Sequence, residues 1–187
     1  MLLSRSEILE EMAKGEIKIE PFEPGLVGPD AIDLRLGKKF MELRKADKPI
    51  DATRIPKDIY TEPIEAPEGY VLKPNTLVLG TTLEAVSLSN SISAQLEGRS
   101  SLGRAGILVH MTAGIVHAGF GKKEPSTLTL EIYSVNPNPV VVKPGMRIAQ
   151  LSFMRLGKEA EKGYDEIAGS KYIAQKGPLP PGEDSGL

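Results

Sequence analysis

Proline and glycine interrupt this chain so often that long helices have little room to form. Fifteen prolines and nineteen glycines are spread over 187 residues, and the runs between them are short and rich in Val, Ile, Leu and Thr. Proline fixes φ and removes a backbone donor, while glycine supplies positive φ, so such breaks between β-branched runs favour short strands joined by turns. Strands are predicted over residues 70–73, 76–87, 92–97, 106–111, 127–133, 139–142 and 146–154. Lys73-Pro74-Asn75 and Lys143-Pro144-Gly145 read as type I or II turns with proline at the second position, each closing a hairpin. Residues 20–69 contain seven of the prolines and are expected to form loops and short strands. Within them, Ala31 to Gly37 alternates apolar and charged residues, as a half-buried strand does. The architecture expected is mainly β, a barrel or sandwich of jelly-roll type.

One helix is predicted, at the N-terminus. Ser4 followed by Glu7 is a capping-box spacing, Ile8 and Met12 share a face, and Gly15 supplies a stop. Residues 1–176 are expected to form a single domain. Residues 177–187, Gly-Pro-Leu-Pro-Pro-Gly-Glu-Asp-Ser-Gly-Leu, have no pattern that could bury a face and are expected to lack fixed structure.

Composition removes several chemistries. Without cysteine there is no disulfide, thiolate metal site or cysteine nucleophile, and the two histidines could give zinc at most two imidazoles. A net charge of −2 offers no broad footprint for nucleic acid or a membrane surface. The longest apolar runs fall far short of a membrane span, and acids occupy the place of a signal peptide's apolar core. The chain is accordingly read as cytoplasmic.

Three segments could carry chemistry. In Glu97-Gly-Arg-Ser-Ser-Leu-Gly-Arg104, two arginines bracket two hydroxyls and a glycine. Guanidinium forks and backbone N–H groups suit phosphate oxygens, but an exposed loop in which Ser100 caps a helical turn fits equally well. The segment is neither a Walker A loop nor a dinucleotide fingerprint. In Thr127 to Tyr133, alternation puts Leu128, Leu130 and Ile132 on one face and Thr127, Thr129, Glu131 and Tyr133 on the other. Glu131 then faces either solvent or a pocket, where partial burial would raise its pKa and suit it to move protons. His110 and His117 are seven apart and form no metal motif; His110 ends an apolar run as a bonded core histidine or a base.

The order of these segments is more specific than any one of them. Gly98-Arg-Ser-Ser-Leu-Gly-Arg104, His110-x-Thr-Ala113, Leu130-Glu131, Pro144-Gly-Met-x-Ile148 and Leu151-Ser-Phe153 closely resemble the dCTP deaminases, a family related to the trimeric dUTPases. Ser4 to Ile8, Asp33-Leu-Arg-Leu-Gly37 and a tail element with Tyr164, Lys171, Tyr172 and Gln175 extend the resemblance over residues 1–177. It implies a distorted β-barrel or jelly-roll-like subunit, a homotrimer with shared active sites, and a triphosphate ligand carried with Mg²⁺ and no zinc. Glu131 would be the general base that activates water against C4 of cytosine. Ser100 and Arg104 would orient that water and the amino group, with the Ala113 backbone holding the base. Arg99 and the backbone of Ser101, Leu102 and Gly103 would lie against the phosphates or shape the loop. Thr129 and Leu130 would hold the pyrimidine edge, and Gln150, Tyr164, Lys171 and Gln175 would contact the nucleotide.

The resemblance departs at two places. His117 stands where the family carries an aspartate that would accept a hydrogen bond from the sugar 3′-hydroxyl, which a neutral imidazole can also accept. Gly121 to Ser126 is longer than the usual link into the Glu131 strand and is expected to be a hairpin insertion. The activity implied first is hydrolysis of dCTP to dUTP and ammonia. The alternatives are a bifunctional enzyme continuing to dUMP and pyrophosphate, a dUTPase, and a non-catalytic nucleotide-binding relative.

Overall fold

The computed structural model describes residues 1–182 of the chain. Helix α1 (Arg5–Ala13) opens it, followed by β1 (Ile17–Glu20), β2 (Ala31–Arg35), β3 (Lys39–Glu42), β4 (Ile64–Glu65), β5 (Tyr70–Leu72), β6 (Leu77–Leu88) and β7 (Ile92–Gly98). A helical turn, α2 (Ser100–Arg104), leads to β8 (Ile107–Leu108), β9 (Ile115–Val116), β10 (Ser126–Ser134), β11 (Val140–Val142) and β12 (Arg147–Arg155). One sheet runs β4-β3-β6-β10-β8, with β1 also paired to β6; a second runs β2-β12-β7-β9; β5 and β11 form a separate ribbon. Every pairing is antiparallel. Among the described residues, no helix is long and apolar enough to cross a membrane.

The two large sheets face one another across one apolar cluster, in which Leu130 and Ile132 of β10 meet Leu151 and Phe153 of β12. The sheets stay open, so the fold is jelly-roll-like and not a closed barrel. Strand β10 shows why the pattern folds this way. Its residues alternate strictly between buried and half-buried, and the buried set contains the predicted Leu128, Leu130 and Ile132 together with Ser126 and Ser134. Its register with β6 slips between Thr127 and Thr129. The Leu128 N–H freed there donates to the hydroxyl of Thr82 at 2.9 Å, and that hydroxyl donates to the Glu84 carbonyl at 2.7 Å.

Helix α1 has the predicted capping box: Ser4 N–H donates to the Glu7 carboxylate at 2.8 Å, which holds that carboxyl below the usual range. Gly15 follows at φ +79°, the left-handed stop.

Several expectations need correction. Asn75 and Gly145 take positive φ, as type II turns require, yet neither turn closes a hairpin. Strands β5 and β11 pair with each other, so both turns carry the chain from that ribbon into the large sheets. Residues 121–125 are a series of bends, and β9 and β10 lie in different sheets, so the expected hairpin insertion is an irregular loop. The predicted strand 106–111 is paired only at Ile107–Leu108: Gly106 turns the chain into it at φ +75°, and residues 109–111 bend away from the ladder. Residues 177–182, expected to lack structure, lie against the body: Leu179 N–H donates to Thr129 Oγ1 and Gly182 N–H to the Tyr172 hydroxyl. The remainder of that expectation, residues 183–187, falls outside the described residues.

Thr82→Val nearly preserves shape and leaves the Leu128 N–H and Glu84 C=O without their partner. It should lower the unfolding free energy by about 2–4 kcal/mol in denaturant titration. An unchanged midpoint would remove the hydroxyl from its role at the bulge.

Candidate active site

The face of β10 turned away from the core borders a cavity of about 400 Å³. Glu131 lies half-buried in its wall, and its Oε2 accepts the backbone N–H of Met111 at 3.2 Å. Leu79 and Leu77, the cross-strand neighbours of Glu131 and Tyr133, give the cavity an apolar floor. Ala113, His117, Thr129, Tyr164 and Gln175 also line it. Six of the residues singled out from the sequence therefore converge on one space, although they span positions 113–175 of the chain. A carboxylate beside apolar walls, with one backbone donor fixing its orientation, is suited to take a proton from a bound water.

The tail element forms the lid of this cavity. Tyr164 lies parallel to His117, with ring centroids 5.8 Å apart and 4° between planes, and meets Phe120 at the same separation. Gly119 and Gly163 let the two backbones touch: a Cβ on Gly119 would sit 2.3 Å from the Gly163 Cα, so no side chain fits at that crossing. Asp165, 1% exposed, accepts the N–H groups of Lys123 and Gly121 at 3.0 and 3.3 Å. Glu166 accepts Gly163 N–H at 2.7 Å, the Asn90 amide at 2.9 Å and the Lys122 ammonium at 3.2 Å. Further along, Gln175 is buried and accepts the Thr129 hydroxyl at 2.9 Å through its side chain and the Thr127 N–H at 3.0 Å through its carbonyl. Leu179 and Pro181 then complete the wall.

Other expected residues lie elsewhere. Ser100, Ser101, Leu102, Gly103 and Arg104 form the helical turn α2 and are not part of the cavity wall. The reading of Ser100 as a cap is corrected, since Arg99 occupies the N-cap position and its carbonyl accepts from Leu102 and Gly103. Leu130 points into the core, so only its backbone can meet a ligand. Gln150 and Arg99 both engage Asp33: the Gln150 amide donates at 3.1 Å, and Arg99 Nη1 is in ionic contact at 2.7 Å. Lys171 borders a second, more open cavity of about 700 Å³ that shares His117 and Tyr164 with the first. His110 is half-buried with Nε2 3.5 Å from Glu97, outside the cavity.

Sequence reasoning misses Tyr60, Phe120, Leu179 and Pro181 as wall residues. No local pattern marks them, because each reaches the cavity by a long-range fold. It also gives Asp33 no role at a site: the residue falls within the Asp33-Leu-Arg-Leu-Gly37 segment of the resemblance and in an alternating strand, and it proves nearly buried.

Comparison with known proteins gives a consistent result. The family described as dCTP deaminase-like matches residues 2–156. A protein of Salinispora tropica named dCTP deaminase, dUMP-forming, is 41% identical over 184 residues, covering 96% of this chain and 93% of the relative. One of Dictyoglomus thermophilum with the same name is 42% identical over 95% of this chain and 92% of the relative. One of Natronomonas pharaonis named dCTP deaminase is 40% identical over 95% of this chain and 92% of its own length. The crystal structure of 2′-deoxycytidine 5′-triphosphate deaminase from Agrobacterium tumefaciens superposes with a TM-score of 0.64 at 27% identity. That match covers 83% of this chain, and the chain spans about half, 48%, of the Agrobacterium chain.

The latch at Glu166 depends on pH. Donors from Gly163, Asn90 and Lys122 pull its carboxyl from the usual 4.5 to about 2. A depressed folded-state pKa stabilises the docked lid fully above about pH 4.5, and that contribution is lost as pH falls towards 2. The Gly163 and Tyr164 amide resonances, followed from pH 6 downward, should report the lid loosening across that window. Glu166→Gln should flatten the dependence; an identical titration in the variant would assign it to another group.

Proposed function

The chain belongs to the dCTP deaminase-like family, and from that premise we propose that it is an enzyme converting dCTP to dUMP: dCTP + 2 H₂O → dUMP + NH₃ + pyrophosphate. The observation that carries the chemistry is Glu131, held by the Met111 N–H in the wall of a mainly apolar cavity. Relatives 41% and 42% identical that are named dUMP-forming favour this product over the dUTP expected first from the sequence.

In the first step Glu131 accepts a proton from water as the oxygen bonds to C4 of the cytosine ring. The same carboxyl returns the proton towards the amino group, the C4–N bond breaks and ammonia leaves. With no cysteine to hold zinc, stabilisation of the developing charge falls to aligned donors. Ser100 and Arg104 supply these from a neighbouring copy in a homotrimer, since α2 lies outside the cavity of its own subunit. The Ala113 backbone, Thr129 and the Leu130 backbone hold the pyrimidine edge. His117, stacked on Tyr164, meets the sugar 3′-hydroxyl. In the second step water bonds to the α-phosphorus and pyrophosphate departs. Lys171 and Gln175 close over the phosphates, and Arg99 faces them. Mg²⁺ carried with the nucleotide would offset the triphosphate charge alongside Arg99 and Lys171. The nucleotide and water are the small-molecule partners, with no role for nucleic acid or a membrane, and the setting is the cytoplasm.

A second reading, in which the reaction stops at dUTP, is favoured by the 40%-identical relative named simply dCTP deaminase. Incubation with Mg²⁺ and dCTP followed by chromatography separates the two: dUMP and pyrophosphate support the first, accumulating dUTP the second. Binding without turnover would overturn both and favour a non-catalytic role.

Glu131→Gln should retain dCTP binding and the fold but lose at least about a hundredfold in deamination rate, the scale of a positioned proton-transfer group. Near-wild-type turnover would take Glu131 out of its role. Sedimentation should give a trimer; an active monomer would contradict sharing of α2 between copies.

A further inference from the structure

Asp33 gathers three polar partners and lies on the sheet that does not carry Glu131. It is 9% exposed. Its Oδ2 is 2.7 Å from Arg99 Nη1 and accepts Arg147 Nη1 at 3.1 Å, while its Oδ1 accepts the Gln150 amide at 3.1 Å. Three strands or their ends contribute: β2 carries Asp33, β12 carries Arg147 and Gln150, and β7 runs through Gly98 into Arg99.

This convergence needs a specific irregularity. Arg147 and Gln150 are three residues apart and on an unbroken strand would point to opposite faces. Between Arg147 and Ala149 the register against β2 slips: Arg147 pairs with Arg35 and Ala149 with Leu34. The extra residue, Ile148, turns fully into the core, and Arg147 emerges on the face that Gln150 occupies. Across β7, Glu97 pairs with Gln150 in the ladder but turns to His110 instead of joining the cluster.

The charges do not balance. Two guanidiniums share one carboxylate oxygen, leaving a net positive charge beside an amide donor. Arg99 Nη1 is itself buried against the carboxylate and makes no hydrogen bond beyond that ionic contact, while the Arg99 and Arg147 side chains keep 27% and 49% exposure, so neither is sealed from the surface. Planar forks held side by side match polyphosphate oxygens.

We propose that Arg147 is a phosphate-binding residue, working beside Arg99, and that Asp33 is the positioning residue that aims both guanidiniums at the triphosphate of the nucleotide. The proposal deepens the function given above and rests on it for the identity of the ligand. Gln150 stays anchored to the same carboxylate, so the three donors form one pre-set surface and lose little freedom on binding.

The test uses the full-length protein with dCTP, deoxycytidine and inorganic tripolyphosphate as probes. Arg147→Met keeps the exposed stem without the charge. It should raise KM for dCTP and weaken tripolyphosphate about tenfold, with kcat within about twofold and deoxycytidine inhibition unchanged. Arg147→Lys should recover part of the loss. Asp33→Asn should weaken the same two phosphate-bearing probes. Combined with Arg147→Met, it should cost less than the sum of the single changes, because both act through one guanidinium. A purely structural Asp33 would instead lower kcat and melting temperature and leave the ratio of dCTP to deoxycytidine affinity unmoved. If Asp33→Asn fails to fold, Arg147→Met decides alone. Unchanged dCTP KM and tripolyphosphate affinity in Arg147→Met overturns the proposal, as does a wild-type protein that does not bind tripolyphosphate. A wild-type protein inert towards dCTP that still loses tripolyphosphate affinity on Arg147→Met would sink the deaminase reading and leave the anion cluster standing.

Discussion

Strand β10 can bury only one of its two faces, and the rest of the molecule is arranged around that choice. Leu128, Leu130 and Ile132 enter the core, which forces Thr129 and Glu131 outward onto the cavity. A slip of one residue against β6 would put the carboxylate among apolar side chains and three large hydrophobes in the cavity wall. The register therefore carries function as well as stability. The bulge near its start is accommodated because Thr82 bonds the displaced N–H, so the strand can bend there without leaving a buried donor unpaired.

Around that fixed strand, the remaining wall is supplied by segments with weaker local preferences. The lid docks through a backbone crossing at Gly119 and Gly163, and through two adjacent acids that bond N–H groups and one lysine. Beside these polar contacts, Tyr164 packs on Phe120 and the edge of the core, so the segment is held by apolar as well as polar contacts. The Thr129 hydroxyl bonds both Gln175 and the Leu179 N–H.

The donors are divided between two surfaces. Glu131 sits in one cavity, whereas α2 and the Asp33 cluster occupy another part of the same chain. That division makes assembly the event that completes the site, if copies are arranged as proposed.

The face assignment of β10 follows from period-two alternation, and the N-terminal helix from its capping box and glycine stop, so both are legible in the order of residues. Glu131, His117, Thr129, Tyr164 and Gln175 stand out through motif order and do share a cavity. Pairing partners are not legible. Pro74 and Pro144 set turn geometry correctly, but whether a turn closes a hairpin depends on which strands lie alongside, and β5 finds β11 across a long stretch of chain. Nor can residues 177–182 show that they pack, because two backbone N–H bonds and a few prolines leave no periodic trace. The chain's order of residues determined its strands, their buried faces and the chemical groups available. Only the tertiary structure decided which groups meet, because a bulge, a crossing of two glycines and a buried aspartate act between positions that sequence spacing cannot relate.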